Sequence, residues 1–207
     1  MRLADCLWQQ NQALVAEIRF HPFVVALVEG SLPLNQFQAY IAQDAFFLEA
    51  FARAYSIAAA KSEHRADFEQ FHQLAGGVLE ELQLHARLAQ RWQIDLRSVQ
   101  PNPATRRYVD FLVATAWSRP LGAIAAAMVP CMRLYADLGQ FWLQRGYAAE
   151  PYGEWVQTYA DPAFESLAQQ LEALLDRHGT EAIAAEPYGY ALTCERDFFS
   201  AVGSAIA

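Results

Sequence analysis

The feature that most constrains the fold is a helical hydrophobic period that runs through almost the whole chain. Apolar residues recur three and four positions apart, alanine and leucine are abundant, and no alternating run rich in valine and isoleucine occurs. This period places apolar side chains on one face of each helix, and such faces are stable only when they bury one another. The sequence therefore predicts an all-α protein, which we interpret as a single-domain helical bundle over residues 1–207.

Start and stop signals divide this pattern into helices. Asp161-Pro162 is the clearest start, because an aspartate N-cap precedes a proline at the first helical position. Gly76-Gly77 falls inside a long helix and predicts a kink or the close approach of another helix. The predicted helices cover about residues 3–19, 22–30, 34–61, 65–92, 104–117 and 120–144, a short stretch ending near Tyr159, residues 162–178, and a last helix opened by Glu186-Pro187.

The charge balance and the cysteine count exclude several classes of protein. A net charge of −8, with no basic stripe, argues against nucleic-acid and anionic-membrane partners. Cys6, Cys131 and Cys194 are too few and too scattered for a disulfide framework, which favours a reducing compartment. The N-terminus lacks the apolar run of a signal peptide, and the best apolar stretch, Leu121 to Val129, is half a membrane span. We therefore expect a cytoplasmic protein with no membrane partner.

One helix carries a proline directly before a cysteine, at Pro130-Cys131. Proline inside a helix removes a backbone hydrogen bond and costs roughly 3 kcal/mol, so a bend kept at this point indicates a thiol with a defined position. Tyr135 lies four residues further on, on the same helix face. A cysteine in such a helix is also commonly an inert buried side chain, and thiol reactivity depends on pKa and exposure rather than on sequence.

Further polar residues fall on helix faces that should point inward. Asp44 lies on an aromatic stripe, Tyr108 lies on the helix after the Pro101–Pro103 loop, and Glu195 lies one turn before Phe198. A carboxylate on an apolar face is costly unless it is paired or hydrogen-bonded. The pattern therefore indicates either buried structural networks or a functional site.

The sequence lacks the motifs of several cofactor sites. No Gly-x-Gly-x-x-Gly, P-loop or Gly-x-Ser-x-Gly is present. Glu69 and His72 have the i, i+3 spacing of helical di-iron ligands, but the other nearby pair, Glu81 and His85, is spaced i, i+4. His21 precedes a proline at a helix start, where a cap is the ordinary role of a histidine. We expect neither a metal nor another cofactor.

Several of these residues belong to a longer series that resembles the TenA/thiaminase II family. The resemblance spans nearly the whole chain and depends on the series as a whole, since each motif is weak by itself. It implies the haem-oxygenase-like fold without haem. The motifs are His21-Pro22-Phe23-Val24, Gly30-Ser31-Leu32-Pro33, Phe37 to Asp44, Phe51-Ala52-Arg53-Ala54, Pro130-Cys131 with Tyr135 and Gly139, Trp155 with Tyr159, and Glu195 with Phe198-Phe199.

The resemblance also implies a function and the residues that carry it. The implied reaction is hydrolysis of an aminopyrimidine to 4-amino-5-hydroxymethyl-2-methylpyrimidine in thiamine salvage, by a protein that is typically a homotetramer. Cys131 falls on the nucleophile, Glu195 on the acid/base, and Asp44 on the carboxylate that binds the pyrimidine ring. The remaining implied substrate-binding residues are Phe47, Tyr108, Tyr135, Tyr159 and Phe198.

Two departures and two alternatives accompany this interpretation. Phe47 stands where a tyrosine often occurs, and Arg133 stands where many members carry tryptophan; the helix period directs Arg133 away from Cys131. Because one scaffold hosts many functions, a non-catalytic pyrimidine-binding protein and a metal-dependent oxidase on the same fold are the alternatives. The sequence leaves open whether thiamine or an aminomethylpyrimidine is the preferred substrate.

Overall fold

The computed structural model describes residues 1–96 and 99–203. This part of the chain is almost entirely helical and contains no strand, as the hydrophobic period predicts. The all-α fold class is therefore confirmed. The helices are α1 (Leu3–Gln10), α2 (Gln12–Arg19), α3 (Pro22–Val28), α4 (Leu34–Lys61), α5 (Arg65–Arg91), α6 (Pro103–Ser118), α7 (Leu121–Leu143), α8 (Gly153–Ala160), α9 (Pro162–His178) and α10 (Glu181–Gly203).

Local signals set most of these boundaries. The Asp161 side chain accepts a hydrogen bond from the Ala163 N–H at 2.7 Å, as an N-cap before proline should. His21 caps α3 in the same way, because its Nδ1 accepts from the Phe23 N–H at 3.2 Å. The ordinary capping role of His21 is thus confirmed.

Two expectations about the helix boundaries are wrong. The first predicted helix is broken at Asn11, whose side chain donates to the Leu7 carbonyl at 2.8 Å and competes with the helical backbone. The last helix begins at Glu181 rather than at Glu186-Pro187; Pro187 lies inside α10 and is buried, so tertiary packing offsets the lost backbone bond. At Gly76-Gly77, an added Cβ would meet nothing within 4 Å, which gives no support to the close approach of another helix; the alternative, a kink in α5, stays a prediction.

Helix α7 lies at the centre of the bundle, packed against α8, α9 and α10. Two glycines permit this packing, because a Cβ at Gly122 would lie 2.2 Å from the His178 carbonyl oxygen and one at Gly139 would lie 2.4 Å from the Ala160 nitrogen. By length and composition α7 could cross a membrane, but 78% of its most apolar window is buried inside the protein. This burial is typical of a core helix.

Helix α4 forms the second half of the bundle with α5 and α6. Its buried face carries the aromatic stripe that contains Asp44. On the α9 side of α7, Arg133 donates to Glu172 at 2.6 Å and to Glu165 at 2.8 Å. Arg133 is therefore engaged with two carboxylates of α9.

Candidate active site

Side chains from four helices converge on a narrow inner cavity in the core. Two carboxyl groups, two phenols and two phenyl rings line it, and every one of these residues is buried. The structure thus brings together six of the eight site residues predicted from the sequence. They are Asp44 and Phe47 of α4, Tyr108 of α6, Tyr135 of α7, and Glu195 and Phe198 of α10.

Glu195 is one of the two carboxyl groups that line the inner cavity. The Tyr108 hydroxyl donates to its Oε1 at 2.8 Å, and the thiol of Cys131 also hydrogen-bonds to it. Burial raises the pKa of Glu195 to about 8, and the charge of Asp44 adds to this, while the bonds from Tyr108 and Cys131 oppose it. A carboxyl group with such a pKa exchanges a proton readily near neutral pH.

Cys131, on α7, contacts this carboxyl group but is not itself part of the cavity lining. Burial raises the pKa of its thiol well above the usual value of 9, and the neighbouring acids Glu195 and Asp44 raise it further. The resting thiol is consequently neutral, and it needs a base to become a nucleophile. Glu195, its hydrogen-bond partner, is the adjacent base.

Asp44 is the second carboxyl group that lines the cavity. Its Oδ2 lies 2.8 Å from Nε2 of His85, a buried residue of α5. The Nδ1 of His85 lies 3.1 Å from the carbonyl oxygen of Glu81, one turn earlier on the same helix. Asp44 is therefore paired inside the core, and this pairing offsets the free-energy cost of burying a carboxylate.

Aromatic rings form the remaining walls. The rings of Phe47 and Tyr108 lie 4.7 Å apart, which leaves flat apolar surface beside the two carboxyl groups. The Tyr135 hydroxyl lies 3.5 Å from the hydroxyl of Tyr40. The Tyr40 hydroxyl in turn accepts a hydrogen bond from Trp155 Nε1 at 3.0 Å. The cavity thus suits a small flat heterocycle with polar edges.

Tyr159, the eighth predicted residue, lies next to the inner cavity rather than in its lining. Its ring is 4.8 Å from that of Tyr135, and its hydroxyl donates to Glu81 Oε1 at 3.2 Å. Both Tyr159 and Glu81 line an outer pocket that is open to solvent. His85 also lines this pocket, and its partner Asp44 lines the inner cavity. The other rings of this outer pocket include Phe37, Tyr40, Trp92, Tyr152 and Trp155.

Sequence reasoning missed three of the residues in this region. His85 and Glu81 were considered only as a metal pair, yet their i, i+4 spacing already places them on one helix face. The spacing could not show that Asp44 of α4 is the partner of His85. Tyr40 lies four residues before Asp44, so the same rule could have placed it at the site.

The candidate metal ligands are engaged otherwise. His72 is exposed and its ring stacks on Phe68 at 5.9 Å, while His85 binds Asp44. Among residues 1–96 and 99–203, no three histidine, cysteine or acidic side chains are arranged to hold a metal ion.

Comparison with solved structures defines the class of fold. The chain superposes on a TenA homologue from P. horikoshii OT3 with a TM-score of 0.91, 24% identity, and coverage of 98% of this chain and 99% of that one. It also superposes on haem oxygenase-1 of the cyanobacterium Synechocystis, with a TM-score of 0.63, 14% identity, and coverage of 98% and 92%. The fold is therefore the all-helical, haem-oxygenase-like one.

The sequence comparisons identify the family. The profile of the TENA/THI-4/PQQC family matches residues 8–184, and the chain belongs to this family. The chain is 30% identical to the aminopyrimidine aminohydrolase of Halalkalibacterium halodurans over 182 residues, which are 85% of this chain and 81% of that protein. It is 35% identical over 210 residues to the mitochondrial bifunctional TH2 protein of Arabidopsis thaliana, covering 88% of this chain but only 34% of the plant protein. The chain thus spans about a third of that larger relative.

Proposed function

We propose that this protein hydrolyses the C–N bond of an aminomethylpyrimidine, giving 4-amino-5-hydroxymethyl-2-methylpyrimidine and ammonia for thiamine salvage. The observation that carries the proposal is the inner cavity, whose lining holds both Asp44 and Glu195, the carboxyl group that contacts Cys131. The name of the H. halodurans relative, aminopyrimidine aminohydrolase, supports the same reaction.

In the proposed reaction Glu195 first takes the thiol proton, and the sulfur of Cys131 adds to the ring carbon beside the one that bears the methylene group. This addition breaks the aromaticity of the ring, and the displaced ring electrons expel the amine. Glu195 returns its proton to the departing amine, which leaves as ammonia. An amine is a poor leaving group without that proton, so Glu195 must gain and lose a proton within one turnover.

Water then adds to the exocyclic methylene carbon, and Glu195 accepts the proton that this water loses. The ring electrons return, the carbon–sulfur bond breaks and the thiol recovers its proton. The sum is R–CH2–NH2 plus water giving R–CH2–OH plus ammonia. Asp44 is proposed to hold a ring nitrogen or the ring amino group, while Phe47, Tyr108, Tyr135 and Phe198 enclose the ring and exclude bulk water. We place Tyr159 one layer further out, where it supports Tyr135.

The test is to incubate the purified protein with the aminomethylpyrimidine and, separately, with thiamine, and to follow release of the hydroxymethylpyrimidine. Cys131→Ser should lower turnover by roughly 10³-fold or more, because a hydroxyl is a far weaker nucleophile, while binding of the hydroxymethylpyrimidine persists. Cys194→Ser is the matched control, since Cys194 is also a buried thiol but its hydrogen-bond partner is Arg107 rather than Glu195.

Each outcome separates the candidate functions. Turnover by Cys131→Ser at the wild-type rate would contradict covalent catalysis. Binding without turnover by the wild-type protein would favour the pyrimidine-binding alternative. The relative rates on the two compounds decide the preferred substrate.

The proposal includes a cytoplasmic homotetramer. Support for self-association comes from large apolar side chains on the surface of the described chain, among them Trp117 with 69% and Phe20 with 61% of its surface exposed. Light scattering on the purified protein at micromolar concentration tests the subunit number, and a monomer would contradict the proposed homotetramer.

A further inference from the structure

His85 is a buried cation candidate at the junction between the inner cavity and the outer pocket. It is 4% exposed, and both nitrogens of its ring are in hydrogen-bond contact. Nothing in the proposed reaction uses it. Its position is nevertheless specific, since it joins α5 to the one carboxylate of α4 that lines the inner cavity.

The two partners of His85 are both hydrogen-bond acceptors. The Glu81 carbonyl oxygen carries no proton and can only accept, so Nδ1 must donate to it. An ionised Asp44 can likewise only accept, and Nε2 then also donates. A histidine that donates from both nitrogens is an imidazolium ion. With Asp44 ionised, the geometry is that of an imidazolium paired with a carboxylate inside the core.

This contact fixes one oxygen of the carboxylate. His85 holds Asp44 Oδ2, and the hydrogen bonds among the described residues leave Oδ1 to a ligand in the inner cavity. Without the histidine, the side chain of Asp44 could rotate about its last torsion, which is broad for a carboxylate. The position of the ligand-binding oxygen thus depends on the histidine.

We infer that His85 is a positioning residue, which as an imidazolium holds Asp44 so that Oδ1 can accept a hydrogen bond from an aminopyrimidine in the inner cavity. The inference rests on the proposed function for the identity of the ligand. The ion pair itself does not depend on any activity.

The charged and titratable neighbours of His85 favour this state. Burial alone would lower the pKa of His85, but the hydrogen bond and charge of Asp44 on α4, together with Glu81 on α5, raise it to about 9. Burial and the charge of Asp44 raise the pKa of Glu81 to about 7, and the Tyr159 hydroxyl of α8 donates to that carboxyl group. The imidazolium is therefore the form present at neutral pH, and it is lost as the pH rises through about 9.

The first experiment observes the ring directly. In protein labelled with 15N-histidine, the His85 ring should show two protonated nitrogens at pH 7.5 and should titrate near pH 9. Asp44→Asn should bring that titration down toward the usual histidine range, because the paired charge is gone. A single protonated nitrogen at pH 7.5 in the wild-type protein would overturn the inference, whatever the activity of the enzyme.

The second experiment measures binding of 4-amino-5-hydroxymethyl-2-methylpyrimidine by calorimetry. His85→Leu should weaken binding about tenfold or more, whereas His85→Gln, which keeps one neutral donor toward Asp44, should weaken it only about threefold. The matched control is His72→Gln, on the exposed face of the same helix, which should bind as the wild type does. If His85→Leu does not fold, the affinity of His85→Gln and the 15N spectrum of the His85 ring decide whether His85 positions Asp44.

The two proposals fail in different ways. A wild-type protein that does not bind this pyrimidine contradicts the proposed function, and the inferred ligand contact falls with it, while the ring spectrum still decides the ion pair. A wild-type protein that binds the pyrimidine, with the same affinity in both His85 variants, overturns the positioning role and leaves the proposed function in place.

Discussion

Replacing Tyr108 by phenylalanine removes one hydrogen bond to Glu195 and changes little else. The hydroxyl donates to Glu195 Oε1 at 2.8 Å, whereas the ring packs against Phe47 with 4.7 Å between centroids. Phenylalanine keeps this packing, and no donor is left unpaired because the hydroxyl itself is gone. The substitution therefore isolates the effect of the hydrogen bond on the proton affinity of Glu195.

The size of the effect follows from the two states of the carboxyl group. A hydrogen bond to a charged group is worth about 1.5–3 kcal/mol and one to a neutral group about 0.5–1.5 kcal/mol, so the carboxylate loses about 1–1.5 kcal/mol more than the acid. A difference of about 1.4 kcal/mol moves a pKa by about one pH unit. Because the Tyr108 bond lowers the pKa of Glu195, removing it raises that pKa from about 8 toward about 9.

The pH dependence of turnover reports this change. Attack by Cys131 requires that Glu195 has lost its own proton, so that it can accept the proton of the thiol. The wild-type kcat should therefore rise with pH through about 8. In Tyr108→Phe that rise should occur about one pH unit higher, with turnover about tenfold lower at pH 7 and restored near pH 9.5. The measurement is kcat at saturating substrate between pH 6 and 10.

Tyr188→Phe is the matched control, because Tyr188 is a buried tyrosine of α10 whose hydroxyl has no hydrogen-bond partner among the described residues. Its pH profile should match that of the wild type. A Tyr108→Phe profile that stays in place, or that moves to lower pH, would refute the role of Tyr108 and the assignment of Glu195 as the proton carrier.

Two further predictions concern stability. Glu195→Gln should be more stable than the wild type at pH 8 by several kcal/mol, and the difference should vanish below about pH 4.5. The reason is that folding raises the pKa of Glu195, so the wild-type protein loses stability as the pH rises from 4.5 through about 8. Urea unfolding of both proteins across this pH range tests it, and a free-energy difference that does not change with pH would contradict the reasoning. Gly139→Ala should destabilise by about 1–3 kcal/mol, because its Cβ would lie 2.4 Å from backbone, whereas Gly77→Ala, in open space on α5, should stabilise by about 0.5–1 kcal/mol. Thermal unfolding of the two variants in parallel checks the pair, and equal shifts would contradict it.

The resemblance that the sequence carries selected most of the candidate site. Six of its eight predicted residues line one inner cavity, and Cys131 contacts one of them. Asp44, Tyr108, Tyr135 and Glu195 are also marked by a local signal, a polar group on a buried helix face. Phe47 and Phe198 carry no such signal and follow from the resemblance alone. His85 escaped this reasoning, because a histidine beside a glutamate on a largely polar helix is unremarkable until its partner is known.

What the sequence by itself determined is the fold class and most helix boundaries. Hydrophobic period, N-caps such as Asp161 and prolines at helix starts act over a few residues, so they can be read along the chain. Where a side chain or the core competes with these signals, as at Asn11 and Pro187, the local pattern predicts the wrong boundary.

Only the tertiary structure decided which charges meet. Asp44 and His85 are 41 residues apart, and Tyr108 and Glu195 are 87 apart. No short-range rule couples such positions, because their contact depends on how whole helices cross and on what surrounds the pair. The proton affinities of Glu195 and Cys131, on which the proposed chemistry depends, arise from that burial and are set by the packed core rather than by the residues alone.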